Sequence, residues 1–294
     1  MSFKSGFVAI IGKPNVGKST LLNTIMAKKI AIATPKPQTT RDNIRGILTT
    51  DDAQIIFIDT PGIHKPKSRL NKMMVQSAYS AAKEADIILF LIDATKGYAK
   101  SDEIIAEIIK HIDKPKMLII NKIDKLTTKE LIEFLEKIDT ADFDEIVPLS
   151  ALRNRNVDEL INTIRSYLHD DIKYYPTEMI SDYPEEFMIA EIIREKVLLN
   201  TSEEIPHSIA VVIEKMETKK DLIVINAKIV CERESQKKII VGRQGAMIKK
   251  IGSFAREELE VRLQSRVFLE TFVAVEENWR NKNHQLKQFG YWDK

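Results

Sequence analysis

Short apolar runs recur along the first half of the chain, each separated from the next by a loop or a stretch of helical spacing. Phe7–Ile11, Ile55–Ile58, Ile87–Ile92 and Met117–Ile120 are continuous apolar runs too short for helices, which predicts strands buried on both faces. Ile44–Leu48 and Ile146–Leu149 add two further strands. Thr20–Met26, Leu70–Lys83, Asp102–His111 and Val157–Leu168 space their apolar residues as amphipathic helices do. In the third of these, Ile104, Ile105, Ile108 and Ile109 are expected on the inner face. Strands alternating with helices predict an α/β domain, a mostly parallel sheet with helices on both faces. Ligands of such sheets sit at the C-terminal ends of the strands.

The order changes near residue 170. From His169 to Phe187, Pro176 and Pro184 stand among clustered acids without periodicity, which predicts a linker that packs partly against one domain. Beyond it come a helix near Phe187–Leu199, alternating strands at Ile209–Met216 and Leu222–Cys231, and a pair of helices reaching Leu263. A last strand follows at Val267–Val275. The second half therefore reads as a smaller α+β domain. The predicted division is 1–170, a linker 171–186, and 187–294.

Composition adds bounds. A chain of 294 residues that is 44% hydrophobic and 30% charged can build two globular cores. The net charge of +2 says little about partners. The one cysteine, Cys231, rules out an intramolecular disulfide framework and suits a reducing cytosol. No run approaches the ~20 apolar residues of a membrane span. The expectation is a cytoplasmic protein, at most peripheral to a membrane.

The chemistry lies between these elements. Gly12-Lys13-Pro14-Asn15-Val16-Gly17-Lys18-Ser19 fits the phosphate loop G-x-x-x-x-G-K-[ST], with a strand before it and a helix after. Consecutive N–H groups at a helix N-terminus then face a phosphate. Lys18 would reach the β- and γ-phosphates, and the Ser19 hydroxyl would ligate Mg²⁺. Ala33–Arg41 is loop-like, and Thr40 is the candidate sensor of Mg²⁺ and γ-phosphate, with Thr39 in reserve. Asp59-Thr60-Pro61-Gly62 follows a buried strand. Asp59 would hold Mg²⁺ directly or through water, and Gly62 would let the backbone approach the γ-phosphate. Ile63 continues that nucleotide-contact segment.

Asn121-Lys122-Ile123-Asp124 selects the base by hydrogen-bond bookkeeping. An ionised Asp only accepts. Guanine offers a ring N1–H and a 2-amino group side by side; adenine offers neither. Asn121 would brace neighbouring loops and the Lys122 stem would lie over the base. Ser150-Ala151-Leu152 follows one helix and one strand later, and the Ala151 N–H is the candidate donor to guanine O6. In the second domain, Gly242-Arg243-Gln244-Gly245 between two helices fits the loop with which a KH module clamps single-stranded RNA. Around it, Lys237, Lys238, Arg243, Lys249, Lys250 and Arg256 occur with no acid from 235 to 256. Such local basicity in a half with equal numbers of acids and bases is the footprint of a nucleic-acid face.

These motifs, with Gln38-Thr39-Thr40-Arg41 and the tail Trp279-Arg280-Asn281 and Phe289-Gly290-Tyr291, closely resemble the Era family, bacterial GTPases with a C-terminal KH domain. The likeness covers nearly the whole chain. It implies a P-loop GTPase that binds GTP or GDP with Mg²⁺. It also implies binding to 16S ribosomal RNA near its 3′ end, a role in 30S assembly, and peripheral association with the membrane; a monomer is expected, although the sequence does not give the oligomeric state. Lys18, Thr40 and Asn15 are then the catalytic candidates. Many GTPases orient the attacking water with a Gln after the D-x-x-G motif; this chain has Ile63. GTPases of this kind with an Asn at position 15 can hold a K⁺ ion beside the phosphates; the plainer role for Asn15 is to cap its own loop. A constitutive RNA-binding protein with a structural nucleotide domain is the competing reading. A small-molecule kinase is disfavoured by Asn121–Asp124.

Overall fold

The computed structural model describes residues 3–36, 38–169, 171–201 and 205–291. Pro37 of the threonine-rich loop, Asp170 at the expected domain boundary and both extreme ends of the expected domains lie outside the described residues.

The apolar runs do form a sheet. Its strands are β1 (Lys4–Gly12), β2 (Ile44–Thr49), β3 (Ala53–Asp59), β4 (Ile87–Asp93), β5 (Lys116–Asn121) and β6 (Glu145–Pro148), in the spatial order β2-β3-β1-β4-β5-β6. All pairings are parallel except β2 with β3. β3 and β4 are buried at every position, as apolar runs covered on both faces must be. The helices of this unit are α1 (Lys18–Ile25), α2 (Arg69–Glu84), α3 (Lys100–Lys110), α4 (Thr128–Leu135) and α5 (Val157–Tyr167). Helix α4 starts where Thr127 and Glu130 bond each other's backbone reciprocally, a capping box.

On α3 the expected inner face is too wide. Ile105 and Ile109 are buried, but Ile104 and Ile108 are 55% and 42% exposed. Only one i,i+4 row, joined by the buried Asp102 one turn earlier, meets the sheet; the second row is rotated about 100° off it.

Residues from Tyr174 to Asp182 are not free linker. The Gln54 side-chain amide bonds the Tyr175 backbone in both directions at 2.9 Å, the Ile47 N–H reaches the Ile180 carbonyl at 2.9 Å, and Arg45 pairs with Asp182 at 2.6 Å.

By contacts the chain divides into two compact units. The first runs to Ala33 and then takes Thr40–Pro66 and Asn71–Asp182; the second takes Thr34–Thr39, Lys67–Leu70 and the chain from Tyr183 onward. The second unit's sheet has the order β7 (Ala210–Lys219), β8 (Leu222–Cys231), β9 (Arg266–Val275), with β7 antiparallel and β9 parallel to β8. Helices α6 (Glu185–Asn200), α8 (Glu234–Val241) and α9 (Ala246–Leu263) accompany it, with α7 (Ile205–Ser208) a single turn and α10 (Asn283–Gln288) in the tail. Trp279 is fully buried; its indole N–H donates to the Ser208 carbonyl at 2.8 Å, and Tyr291 stacks on its ring. That contact explains the aromatic spacing of the tail. Cys231 is buried, and burial pushes its thiol pKa up.

Candidate nucleotide site and RNA-binding loop

Strand β1 ends at Gly12 and α1 begins at Lys18, so the loop Lys13–Gly17 turns the chain from strand to helix. A side chain at Gly17 would bring its Cβ within 2.2 Å of the Asn121 Nδ2, and the φ of 106° there favours glycine in any case. The phosphate loop and the base-reading motif thus touch directly. Asn15 has a φ of 65°, a left-handed conformation that asparagine tolerates.

Lys18 is buried and donates to the carbonyls of Gly12 and Lys13 at 3.2 and 2.9 Å. Burial lowers its pKa to about 8, against the pull of Asp59. Burial likewise raises Asp59 to about 6, opposed by Lys18, Ser19 and Thr40. Burial outweighs the compensation these groups give one another, and a phosphate anion near Lys18 and a metal cation near Asp59 would favour the charged form of each. The Ser19 and Thr40 hydroxyls lie 2.8 Å apart, and 2.6 and 3.3 Å from Asp59 Oδ2. Asp59 Oδ1 is buried with no hydrogen-bond partner among the described residues. Two hydroxyls and a carboxylate are the hard oxygen donors that Mg²⁺ takes. The residues present fit that ion.

Lys13 turns elsewhere, to the fully buried Asp102 of α3 at 2.5 Å. Thr60 donates to the Ile10 carbonyl through its hydroxyl at 2.8 Å. Gly62 comes against Pro14: a Cβ on it would meet the proline at 2.7 Å. Ile63 places only its backbone at this junction, donating its N–H to the Gly12 carbonyl at 3.0 Å; its side chain is in the hydrophobic core with Ala78 and Ala82. Any contact of Ile63 with a nucleotide would therefore be made by its backbone. The chain buries the apolar side chain because it has a core to join.

At the base-reading end, Asn121 is buried. Its Nδ2 donates to the Val16 carbonyl at 2.8 Å, and its Oδ1 accepts from the N–H groups of Lys122 and Ala151 at 2.8 and 3.0 Å. The Ala151 N–H, expected to face guanine O6, is thus engaged by Asn121 in this structure. Lys122 spans the loops: its ammonium bonds Asp93 at 2.6 Å and the Asn15 carbonyl at 2.7 Å. Asp93 was not among the sequence candidates, although an Asp closing the apolar strand Ile87–Ile92 was the available signal. Asp124 is exposed and its Oδ1 accepts from the Ser150 hydroxyl at 2.6 Å. Ile123 is buried in the core.

Thr39 and Thr40 part company. Thr40 joins Ser19 and Asp59, whereas Thr39 belongs to the second unit, where its carbonyl accepts from the buried Arg194 of α6. The second unit also holds the glycine loop between α8 and α9. A Cβ at Gly242 would stand 2.7 Å from Met247 Cβ, and its φ is 75°. Lys238, Arg243, Gln244, Lys249 and Lys250 are exposed around the loop; Lys237 is half-buried. No acid lies in the first turn of α9. A close-approach backbone ringed by exposed cations is suited to a phosphodiester chain.

Comparison with known proteins agrees with both halves. A family model of 50S ribosome-binding GTPases matches residues 7–122, and a KH-domain model matches residues 204–280. The solved structure of Era in complex with MgGDPNP and nucleotides 1506–1542 of 16S ribosomal RNA is similar at a TM-score of 0.95 and 44% identity, over 98% of this chain and 99% of that one. The chain belongs to the Era family. A variant Era from Aquifex aeolicus bound to GDP·AlF4⁻ matches equally, at 44% identity and a TM-score of 0.95 over the same shares. Like those Era structures, this chain is a P-loop GTPase domain of mostly parallel sheet followed by a KH domain.

Proposed function

We infer that this chain hydrolyses GTP to GDP and phosphate and binds 16S ribosomal RNA near its 3′ end, as a nucleotide switch in assembly of the 30S subunit. The observation that carries this reading is the match, over 98% of the chain, to an Era that holds a GTP analogue and that RNA together. The family model named for the 50S subunit spans only residues 7–122, the half without the RNA-binding loop, so the small-subunit RNA is the better guide.

Each residue then has a task. The N–H groups of Gly12–Ser19 and the Lys18 ammonium bind the phosphates, and the Gly62 N–H meets the γ-phosphate. Ser19, Thr40 and Asp59 hold Mg²⁺, which neutralises phosphate charge. Asp124 accepts from both guanine donors, while Asn121, Lys122 and Asp93 keep its loop against the phosphate loop. Gly242–Gly245 with Lys237, Lys238, Lys249 and Lys250 clamps the RNA backbone. The test is single-turnover hydrolysis of GTP and of ATP, with and without an RNA of the 16S 3′ end. Mg²⁺-dependent turnover of GTP alone is expected; equal use of ATP would overturn the base assignment, and no turnover with RNA present would leave only a structural nucleotide domain.

The reading includes a K⁺ ion near Asn15, shared between its side-chain carbonyl and carbonyls of the loop carrying Thr40. The ion would oppose charge developing between the β- and γ-phosphates, where the buried Ile63 supplies nothing. Hydrolysis at constant ionic strength is expected to be faster in K⁺ than in Na⁺ or Cs⁺, and Asn15→Ala should abolish that difference. Equal rates in the three salts would show that Asn15 only caps its loop. Family resemblance supports a cytoplasmic monomer with peripheral membrane contact; among the described residues no helix is long and apolar enough to cross a membrane.

A further inference from the structure

With the Ile63 side chain committed to the core, the next residue takes on importance. His64 lies half-buried with Nδ1 2.8 Å from the Gly62 carbonyl oxygen and Nε2 3.1 Å from Asn71 Nδ2. A carbonyl oxygen can only accept, so Nδ1 must carry the proton. In the neutral imidazole this leaves a lone pair on Nε2, placed to take an N–H from Asn71. Asn71 is 3% exposed and sits in the first turn of α2, so the acceptor side of the imidazole is tied to a fixed element. The peptide between Gly62 and Ile63 is consequently held on both sides: its carbonyl by His64 and its N–H by the Gly12 carbonyl at 3.0 Å.

We propose that His64 and Asn71 form a positioning pair that sets the Gly62 backbone against the phosphate loop for hydrolysis. The proposal rests on the GTPase reading of this site. The role proposed for both side chains is indirect. They act through one carbonyl, and their influence falls on the placement of the adjoining segment where the γ-phosphate is met. Gly62 already stands against Pro14 with no room for a side chain, so a peptide that tilted would lose register with the loop it abuts. Small misplacements of this kind cost rate more than affinity, because ground-state binding is spread over the whole phosphate loop and the base.

The two nitrogens of His64 can be tested apart. Asn places an N–H₂ near where Nδ1 sits, whereas Gln reaches the place of Nε2. His64→Ala is expected to slow single-turnover hydrolysis at saturating GTP by roughly 10- to 100-fold, with GTP affinity and melting temperature nearly unchanged. His64→Asn should recover most of the rate and His64→Gln little. Asn71→Ala should slow the reaction less, and the double alanine variant should be no slower than His64→Ala, since both act through one bond. Rescue by Gln and not by Asn would overturn the pair and make Nε2 the working atom on water or phosphate; full activity of His64→Ala would overturn it outright. A measurement independent of turnover separates this from the GTPase reading itself. In side-chain ¹⁵N spectra of the nucleotide-free protein, with the His64 signals assigned by their loss in His64→Asn, the imidazole should be the neutral Nδ1–H form, and an Nε2–H form would contradict the proposal even if the parent proved inactive.

Discussion

Replacing Asp124 by Asn is expected to weaken GTP binding on the order of 100-fold and to turn the protein toward xanthosine triphosphate. In the proposed site the carboxylate would accept two charge-assisted hydrogen bonds from guanine, and losing that pairing would cost about 3 kcal/mol. Xanthine carries an oxygen where guanine has its amino group, so the Asn amide can donate to it. The substitution is mild for the fold. Asp124 is exposed, and the Asn oxygen can still accept from the Ser150 hydroxyl that now lies 2.6 Å from Asp124 Oδ1. Titration of both nucleotides against parent and variant measures the change. Undiminished GTP affinity in Asp124→Asn would remove Asp124 from the base site.

The second large effect belongs to the glycine loop. Gly245→Asp is expected to reduce RNA affinity by at least about 100-fold while leaving GTP affinity untouched, because a carboxylate in the clamp repels the backbone it must approach. Gly245 is a cleaner position than Gly242. A Cβ there meets nothing within 4 Å, and its φ of 78° and ψ of 9° lie in the left-handed region that Asp tolerates. At Gly242 the same change would drive into Met247 and confuse loss of binding with loss of fold. Replacing Lys249 and Lys250 by Gln should act differently, lowering affinity modestly and reducing the salt slope by roughly 1 to 1.5, as expected for two single-strand phosphate contacts. RNA binding unchanged in Gly245→Asp would remove the loop from the RNA face.

Much of this molecule could be read before its structure. Apolar runs such as Ile87–Ile92 and Ile55–Ile58 announce themselves because a strand covered on both faces has no polar side to show, and β3 and β4 are indeed buried throughout. The nucleotide motifs are local in sequence, since each is a strand end with its following turn, so their chemistry is legible from consecutive residues. What escaped is what depends on contacts between distant segments. Asp93 is joined to the site by the Lys122 ammonium 2.6 Å away, and Asp102 by Lys13. Neither partnership leaves a mark in spacing. The exposure of Ile104 and Ile108 is similar: four isoleucines look like one broad face until the neighbouring element proves narrow. Ile63 shows the reverse case. Its place in the motif suggested the nucleotide, and the core claimed the side chain.

The central claim is that the nucleotide governs the RNA-binding unit, and RNA affinity in each nucleotide state tests it most directly. The probe is the fragment spanning nucleotides 1506–1542 of 16S ribosomal RNA, the stretch bound by the related Era. Its dissociation constant is measured with the full chain saturated with Mg²⁺ and GDPNP, with Mg²⁺ and GDP, and without nucleotide. Binding at least about tenfold tighter with GDPNP than with GDP, a coupling of about 1.4 kcal/mol, is the result predicted. Equal affinity in all three states would contradict the switch and make this a constitutive RNA-binding protein that happens to hold a nucleotide.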